Sequence, residues 1–279
     1  MATRLHHERL DGPTPATATL VLTHGIFGAG GNWRSVARAV IGRRPAWSAL
    51  LVDLRHHGRS DAGEPPHTVA ACAADLAALL GSDTGGPPVR AALGHSFGGK
   101  VVMALRGGGA DLAQTWVLDS TPSARAGNWD ATDNDVRDVW SHLVALDRTW
   151  TKRDDFTAAI RERGVSAGVA AWLAMNLAPT TDGEPGLRLR LDLPAIRTLL
   201  LDYYATDLWP ALTDPALAGD VHVVVAARSR AFDDADRARL TALPAAARVH
   251  THFLDTGHWL HLDATAALVD LVATHLPAP

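Results

Sequence analysis

"VRAALGHSFGGK", residues 89–100, decides the fold. An apolar run of strand length meets Gly-His-Ser-Phe-Gly-Gly and then residues with helical spacing, so Ser96 stands on the turn between a strand and a helix. Such a sharp turn leaves little room for side chains two positions either side, where Gly94 and Gly98 stand, and it thrusts the serine hydroxyl outward. This is the setting of a nucleophile. The competing reading is a glycine-rich helix start that holds an anion.

Working outward, short apolar runs that end in Gly or Asp recur at "ATLVLTHG" (18–25), "SALLVDLRHHG" (48–58), "QTWVLDS" (114–120), "DVHVVVAAR" (220–228) and "ARVHTHFLD" (247–255). Helical spacing fills the gaps at 31–42, 68–80, 97–109, 234–243 and 262–275. Near-continuous apolar strands alternating with helices predict an α/β fold, a mostly parallel sheet with helices on both faces. Ligands bind such sheets outside the carboxyl ends of the strands. The alternation fails between about 123 and 210, where Val136, Val139, Trp140, Leu143 and Val144 form one helical stripe, and Val169, Trp172 and Leu173 another. The expectation is a core of residues 1–122 and 211–279, with a helical insertion at 123–210. "TTDGEPG" (180–186) reads as a loop, "LRLRLDL" alternates, and Asp192 reads as the N-cap of a helix opened by Pro194.

The 279 residues carry a net charge of -4 with acidic and basic residues interleaved, which argues against nucleic-acid binding. The single cysteine, Cys72, excludes an internal disulfide and points to a reducing compartment. No stretch is apolar enough for a membrane span and the N-terminus lacks a signal-peptide core, so the expected location is the cytoplasm. Oligomeric state is left open.

A serine nucleophile needs a base. Among 14 histidines, His258 in "FLDTGHWLHLD" follows the last strand in a Gly-containing loop on the catalytic rim. His261 reads as the start of the final helix or as solvent-facing. His6, His7, His142, His222, His250, His252 and His275 read as solvated, and structural hydrogen bonding is the favoured use of His56 and His57. Acyl transfer also needs donors for the developing oxyanion. "LTHGIFGAGGNW" (22–33) supplies a loop whose Ile26 N–H would pair with the N–H of Phe97. The alternative for that loop is an anion nest of the dinucleotide-binding kind. His24, Gly25, Phe27, His95 and Trp259 are expected around the substrate.

"HGIFGAGGNW", "DLRHHGRSD", "GHSFGGK" and "GHWLH", in this order over residues 18–276, resemble the α/β-hydrolase superfamily, and most closely its small serine esterases. The resemblance implies an α/β-hydrolase fold whose insertion is a cap. It implies hydrolysis of carboxylic esters or thioesters with short to medium acyl chains, through an acyl-enzyme and without metal or cofactor. The expected partner is a small-molecule ester or thioester. Thioesterase, carbon-carbon hydrolase and perhydrolase activities on the same fold are alternatives, as is a non-catalytic binding protein.

One carboxylate is out of place. Most members of this superfamily carry the orienting acid after the strand that follows the cap, and here that stretch, "VVVAARSRAFDD", offers Ser229. Asp233 and Asp234 read as the N-cap and first turn of a helix. The end of the preceding strand, "WVLDSTP" (116–122), offers Asp119, about one strand spacing or ~5 Å away. Asp119 alone could be a turn residue before Pro122. Some of the esterases resembled have their acid at this site, in an Asp-x-x-Pro context, and the candidate triad is therefore Ser96, His258 and Asp119. Of the tryptophans in or beside the insertion, Trp129, Trp140, Trp150, Trp172 and Trp209, some are candidates for an acyl pocket, with core packing the default for each.

Overall fold

The computed structural model describes residues 3–180 and 186–278. Five strands come first: β1 (His7–Leu10), β2 (Ala18–Thr23), β3 (Trp47–Val52), β4 (Val89–His95) and β5 (Gln114–Leu118). Three short strands follow, β6 (Thr149–Trp150), β7 (Leu177–Pro179) and β8 (Leu187–Leu189), and the chain returns through β9 (Asp220–Ala226) and β10 (Val249–Leu254). The seven longer strands form one sheet in the order β1-β3-β2-β4-β5-β9-β10. All pairings in it are parallel except β1 with β3. The six strands read from the sequence are present. β1, which is polar and only half-buried, was not legible.

Alternate residues of the central strands feed two cores, as period-2 geometry requires. Val21, Leu50, Val52 and Val117 face one core, while Leu20, Leu22, Leu51 and Trp116 face the other. Three helices cover the first half of the chain: α1 (Arg34–Arg43), α2 (Val69–Leu80) and α3 (Phe97–Gly107). Thr68 caps α2 by accepting the Ala71 N–H, and Cys72 is buried on its inner face as a free thiol.

Between β5 and β9 lie α4 (Asp135–Val144), α5 (Arg153–Arg161), α6 (Ala167–Leu173), α7 (Leu193–Ala205) and α8 (Trp209–Thr213). The Asp192 side chain accepts the Ala195 N–H, so the residue read as an N-cap is one. Two expectations need correction. The insertion is not purely helical, because β6, β8 and β7 form a three-stranded antiparallel sheet. Val144, placed on the α4 stripe, is half-exposed. The loop read at 180–186 lies mostly outside the described residues. The chain ends with α9 (Asp234–Thr241), α10 (Leu260–Asp263) and α11 (Thr265–His275). Among the described residues no helix is long and apolar enough to cross a membrane.

His222 corrects a further reading. It lies on β9 with its ring stacked 4.1 Å from Trp116 and is only 3% exposed, because a central strand buries its whole face. Burial pushes its pKa down to about 3.

Candidate active site

The turn from β4 into α3 is as tight as its glycines suggest. A Cβ on Gly94 would stand 2.0 Å from the Gly98 carbonyl oxygen, and one on Gly98 would stand 2.6 Å from that of His24. Ser96 adopts φ 52°, a conformation few non-glycine residues accept. Among the described residues four other non-glycine residues share a left-handed φ, and two of them, Phe27 and Asp119, stand at the ends of β2 and β5 beside it. Such strain persists where surrounding structure enforces it, and it clusters at functional sites.

Asp119 is fully buried one residue beyond β5. Its N–H donates to the Val224 carbonyl at 2.8 Å, and its Oδ1 accepts the Ala226 N–H at 3.1 Å, so β9 clamps the carboxylate from the side. Oδ2 accepts from His258 Nδ1–H at 2.7 Å. That bond fixes the tautomer and leaves Nε2 as the basic nitrogen. Ser96 and His258 line one cavity, with no hydrogen bond between their side chains among the described residues. Free active sites commonly close that contact only around substrate. Ser229 lines the same cavity, and its hydroxyl accepts the Ala231 N–H within its own loop.

The other histidines near the site are structural. His95 Nε2–H donates to the His258 carbonyl at 2.8 Å, so the variable residue of the Ser96 turn holds the His258 loop as well as lining the cavity. His24, expected at the substrate, does not line it. Its Nε2 accepts the Leu54 N–H at 3.0 Å and its Nδ1–H donates to the Gly25 carbonyl at 2.8 Å, which pegs the loop from behind. His261 lies in the short helix α10, one of the two readings, and does not face solvent: it is 6% exposed, packed on Trp33 and His95, and neither ring nitrogen has a hydrogen-bond partner among the described residues. His57 is buried behind His24 with Nδ1–H donating to the Arg55 carbonyl, and neither it nor His56 lines the cavity. Burial lowers the pKa of His24 and His261 to about 4 and that of His57 to about 3, so all three are neutral imidazoles at pH 7.

The loop after β2 brings Gly25, Ile26 and Phe27 to the cavity. Gly28 N–H donates to the Gly25 carbonyl at 3.0 Å, closing a four-residue turn with Phe27 at φ 64°. The N–H groups of Ile26 and Phe97 have no acceptor among the described residues. Asp53 holds this loop by accepting the Gly30 N–H at 2.7 Å. Arg55 of the same motif forms a buried pair with Asp75 at 2.6 Å.

The cavity measures about 700 Å³, within the range of small-molecule sites. The loops form its floor, and residues of the insertion, Val136, Val139, Val169, Trp172 and Leu200, supply an apolar wall. Trp259 lines it too, with its ring 4.5 Å from that of Trp172. Of the five tryptophans singled out in the sequence, Trp172 alone lines the cavity. Three contributors escaped the sequence. Lys100 is fully buried and donates from Nζ to the carbonyls of Ser123, Tyr203 and Thr206, tying α3 to both ends of the insertion. Desolvation draws its pKa down to about 8. Asp236 accepts from the Thr121 and Ser123 hydroxyls and from Arg125. Asn176 reaches from the insertion to the loop after β2. Each contact joins residues more than 20 positions apart, which no local pattern announces.

Comparison with known proteins agrees with this architecture. The sn-1-specific diacylglycerol lipase ABHD11 of Danio rerio is 27% identical over 278 residues, covering 98% of this chain and 82% of its own length. Esterase YbfF of Escherichia coli (strain K12) is 27% identical over 262 residues, covering 92% of each chain. A solved marine microorganism esterase superposes with a TM-score of 0.78 at 18% identity, covering 98% of this chain and 100% of that one, and shares the fold. The family profile described as "Alpha/beta hydrolase family" matches residues 20–271, and the chain belongs to that family.

Proposed function

We propose that the protein is a serine hydrolase cleaving carboxylic esters of short to medium acyl chain. Ser96 attacks the carbonyl and His258 Nε2 takes its proton, then returns it to the leaving alcohol. Asp119 orients the ring and stabilises the imidazolium. The N–H groups of Ile26 and Phe97 receive the oxyanion, and water attacking through the same His258 releases the acid. The observation that carries this reading is the 2.7 Å bond from His258 Nδ1 to the buried Asp119 carboxylate, in a cavity that Ser96 also lines.

The names of the two relatives, a lipase and an esterase, favour an ester over other acyl bonds. An apolar wall from the insertion suits an alkyl chain, and on this reading residues 123–210 act as the cap over the acyl group. The buried free thiol of Cys72 suits a reducing cytoplasm.

A fluorophosphonate probe tests the nucleophile. Wild-type protein labels at Ser96 and hydrolyses p-nitrophenyl esters, with the best kcat/KM at short to medium chain length, while Ser96→Ala does neither. Faster turnover of acyl thioesters than of matched esters would move the assignment to a thioesterase.

A further inference from the structure

We infer that Asn176 is a positioning residue for the oxyanion-binding turn, through which the insertion sets the geometry of the Ile26 N–H. The inference rests on the serine-hydrolase reading above.

Asn176 stands between α6 and β7 and is 5% exposed. Its Nδ2 donates to the Phe27 carbonyl at 2.6 Å and to the Leu173 carbonyl at 3.1 Å. Both partners are acceptors, so the orientation of the amide is fixed. A neighbouring contact, Asn32 Nδ2 to Met175 Sδ at 3.1 Å, joins the same two segments. The insertion therefore grips the loop at two points.

The held residue is the strained one. Phe27 occupies the third position of the Gly25–Gly28 turn at φ 64°, where a type II turn ordinarily places glycine. A β-carbon disfavours that conformation, and relaxation of Phe27 to negative φ would swing the Ile26–Phe27 peptide and, through Ile26, displace the adjoining peptide that carries the Ile26 N–H. The bond from Asn176 to the Phe27 carbonyl opposes that relaxation.

Asn176 also carries a cost that stability alone does not explain. Its Oδ1 is buried with no hydrogen-bond partner among the described residues. A buried orphan acceptor is unfavourable, and an apolar side chain of the same shape would avoid it. A residue retained for packing would have no need of the amide, whereas one that must donate to Phe27 has to carry the oxygen with it.

The test compares Asn176→Leu, which deletes donor and orphan acceptor together, with Asn176→Asp, which keeps the shape and deletes the donor. Full-length proteins are assayed with p-nitrophenyl butyrate, with a trifluoromethyl ketone that forms a tetrahedral adduct, and by thermal melting. The expected result is a kcat reduced about 10- to 100-fold at unchanged KM. Affinity for the ketone falls by the same factor, while the melting temperature of Asn176→Leu falls by only a few degrees, the cost of removing the donor to the Phe27 and Leu173 carbonyls. Phe27→Gly, which accepts the left-handed φ freely, restores part of the lost kcat in the Asn176→Leu background. Unchanged kcat and ketone affinity in both variants would overturn the inference, as would a loss confined to KM. Ser96→Ala separates the two levels: if it is dead while Asn176→Leu is fully active, only the positioning role fails. If Ser96→Ala keeps turnover, the hydrolase reading fails and the inference with it.

Discussion

The ends of β5 and β9 lie side by side and carry opposite equipment. At β5 stands Asp119, fully buried, clamped by two backbone contacts from β9 and bonded to His258. Three residues beyond β9 stands Ser229, half-buried, its hydroxyl used within its own loop. The acids beyond it serve other ends: Asp233 caps α9, and Asp236 holds Thr121 and Ser123, which follow Asp119 in the chain. A loop histidine above two adjacent strand ends can take its carboxylate from either. The difference teaches that such a site specifies a location for negative charge, and that the strand supplying it is a secondary matter.

Asp119→Asn breaks the comparison most severely. The amide keeps the shape but cannot hold the tautomer or stabilise the imidazolium, so kcat falls about 10³- to 10⁴-fold with KM little changed. Steady-state kinetics on an activated ester measure it, and near wild-type turnover would remove Asp119 from the proposed triad. Next in size is the response to acid, which the buried histidines around the site govern. Burial lowers His24 from 6.5 to about 4, His57 to about 3 and His261 to about 4. Below pH 6.5 the unfolded chain takes up protons that these folded-state imidazoles refuse, so stability falls as pH drops from 6.5 toward 3–4. At higher pH both states are neutral and their contribution is flat. His24 alone accounts for roughly 3 kcal/mol once pH is well below both values. Denaturant titrations from pH 7 to pH 4 give the slope, and His24→Gln should flatten it.

What could be read beforehand follows the distance over which each feature is determined. Ser96 was legible because strand, turn and helix lie within about a dozen residues, and the glycine spacing is itself the steric constraint. Asp119 could be proposed because a strand end is local and its neighbour on the rim follows from parallel topology. β6, β7 and β8 run two or three residues each, too short to show an alternating period. His24 looked like a site residue from its motif, and only its two hydrogen bonds show that it faces away from the cavity. Asn176 lies 149 positions from the carbonyl that it holds.

A transplant sharpens the comparison with a smaller effect. If the site needs charge at a place, Ser229→Asp in the Asp119→Asn background should recover activity about tenfold, some 1.4 kcal/mol of barrier. The recovery is partial because Ser229 is only half-buried, whereas Asp119 is fully buried and gripped by β9. No gain in kcat for the double variant over Asp119→Asn would mean that the β5 clamp matters more than the charge.

Asp233→Ala should have the least effect, and that small size is informative. The Asp233 side chain accepts the Asp236 N–H at 2.8 Å and lies 3.1 Å from Arg125, on the surface. Loss of an N-cap costs about 1 kcal/mol, and an exposed ion pair adds little. Thermal melting should register that loss while kcat stays at the wild-type value, because α9 is anchored separately by Asp236 beneath Thr121 and Ser123. A fall in kcat beyond what the lost stability explains would place a second carboxylate in the chemistry, and the two strand ends would then share the role proposed for Asp119.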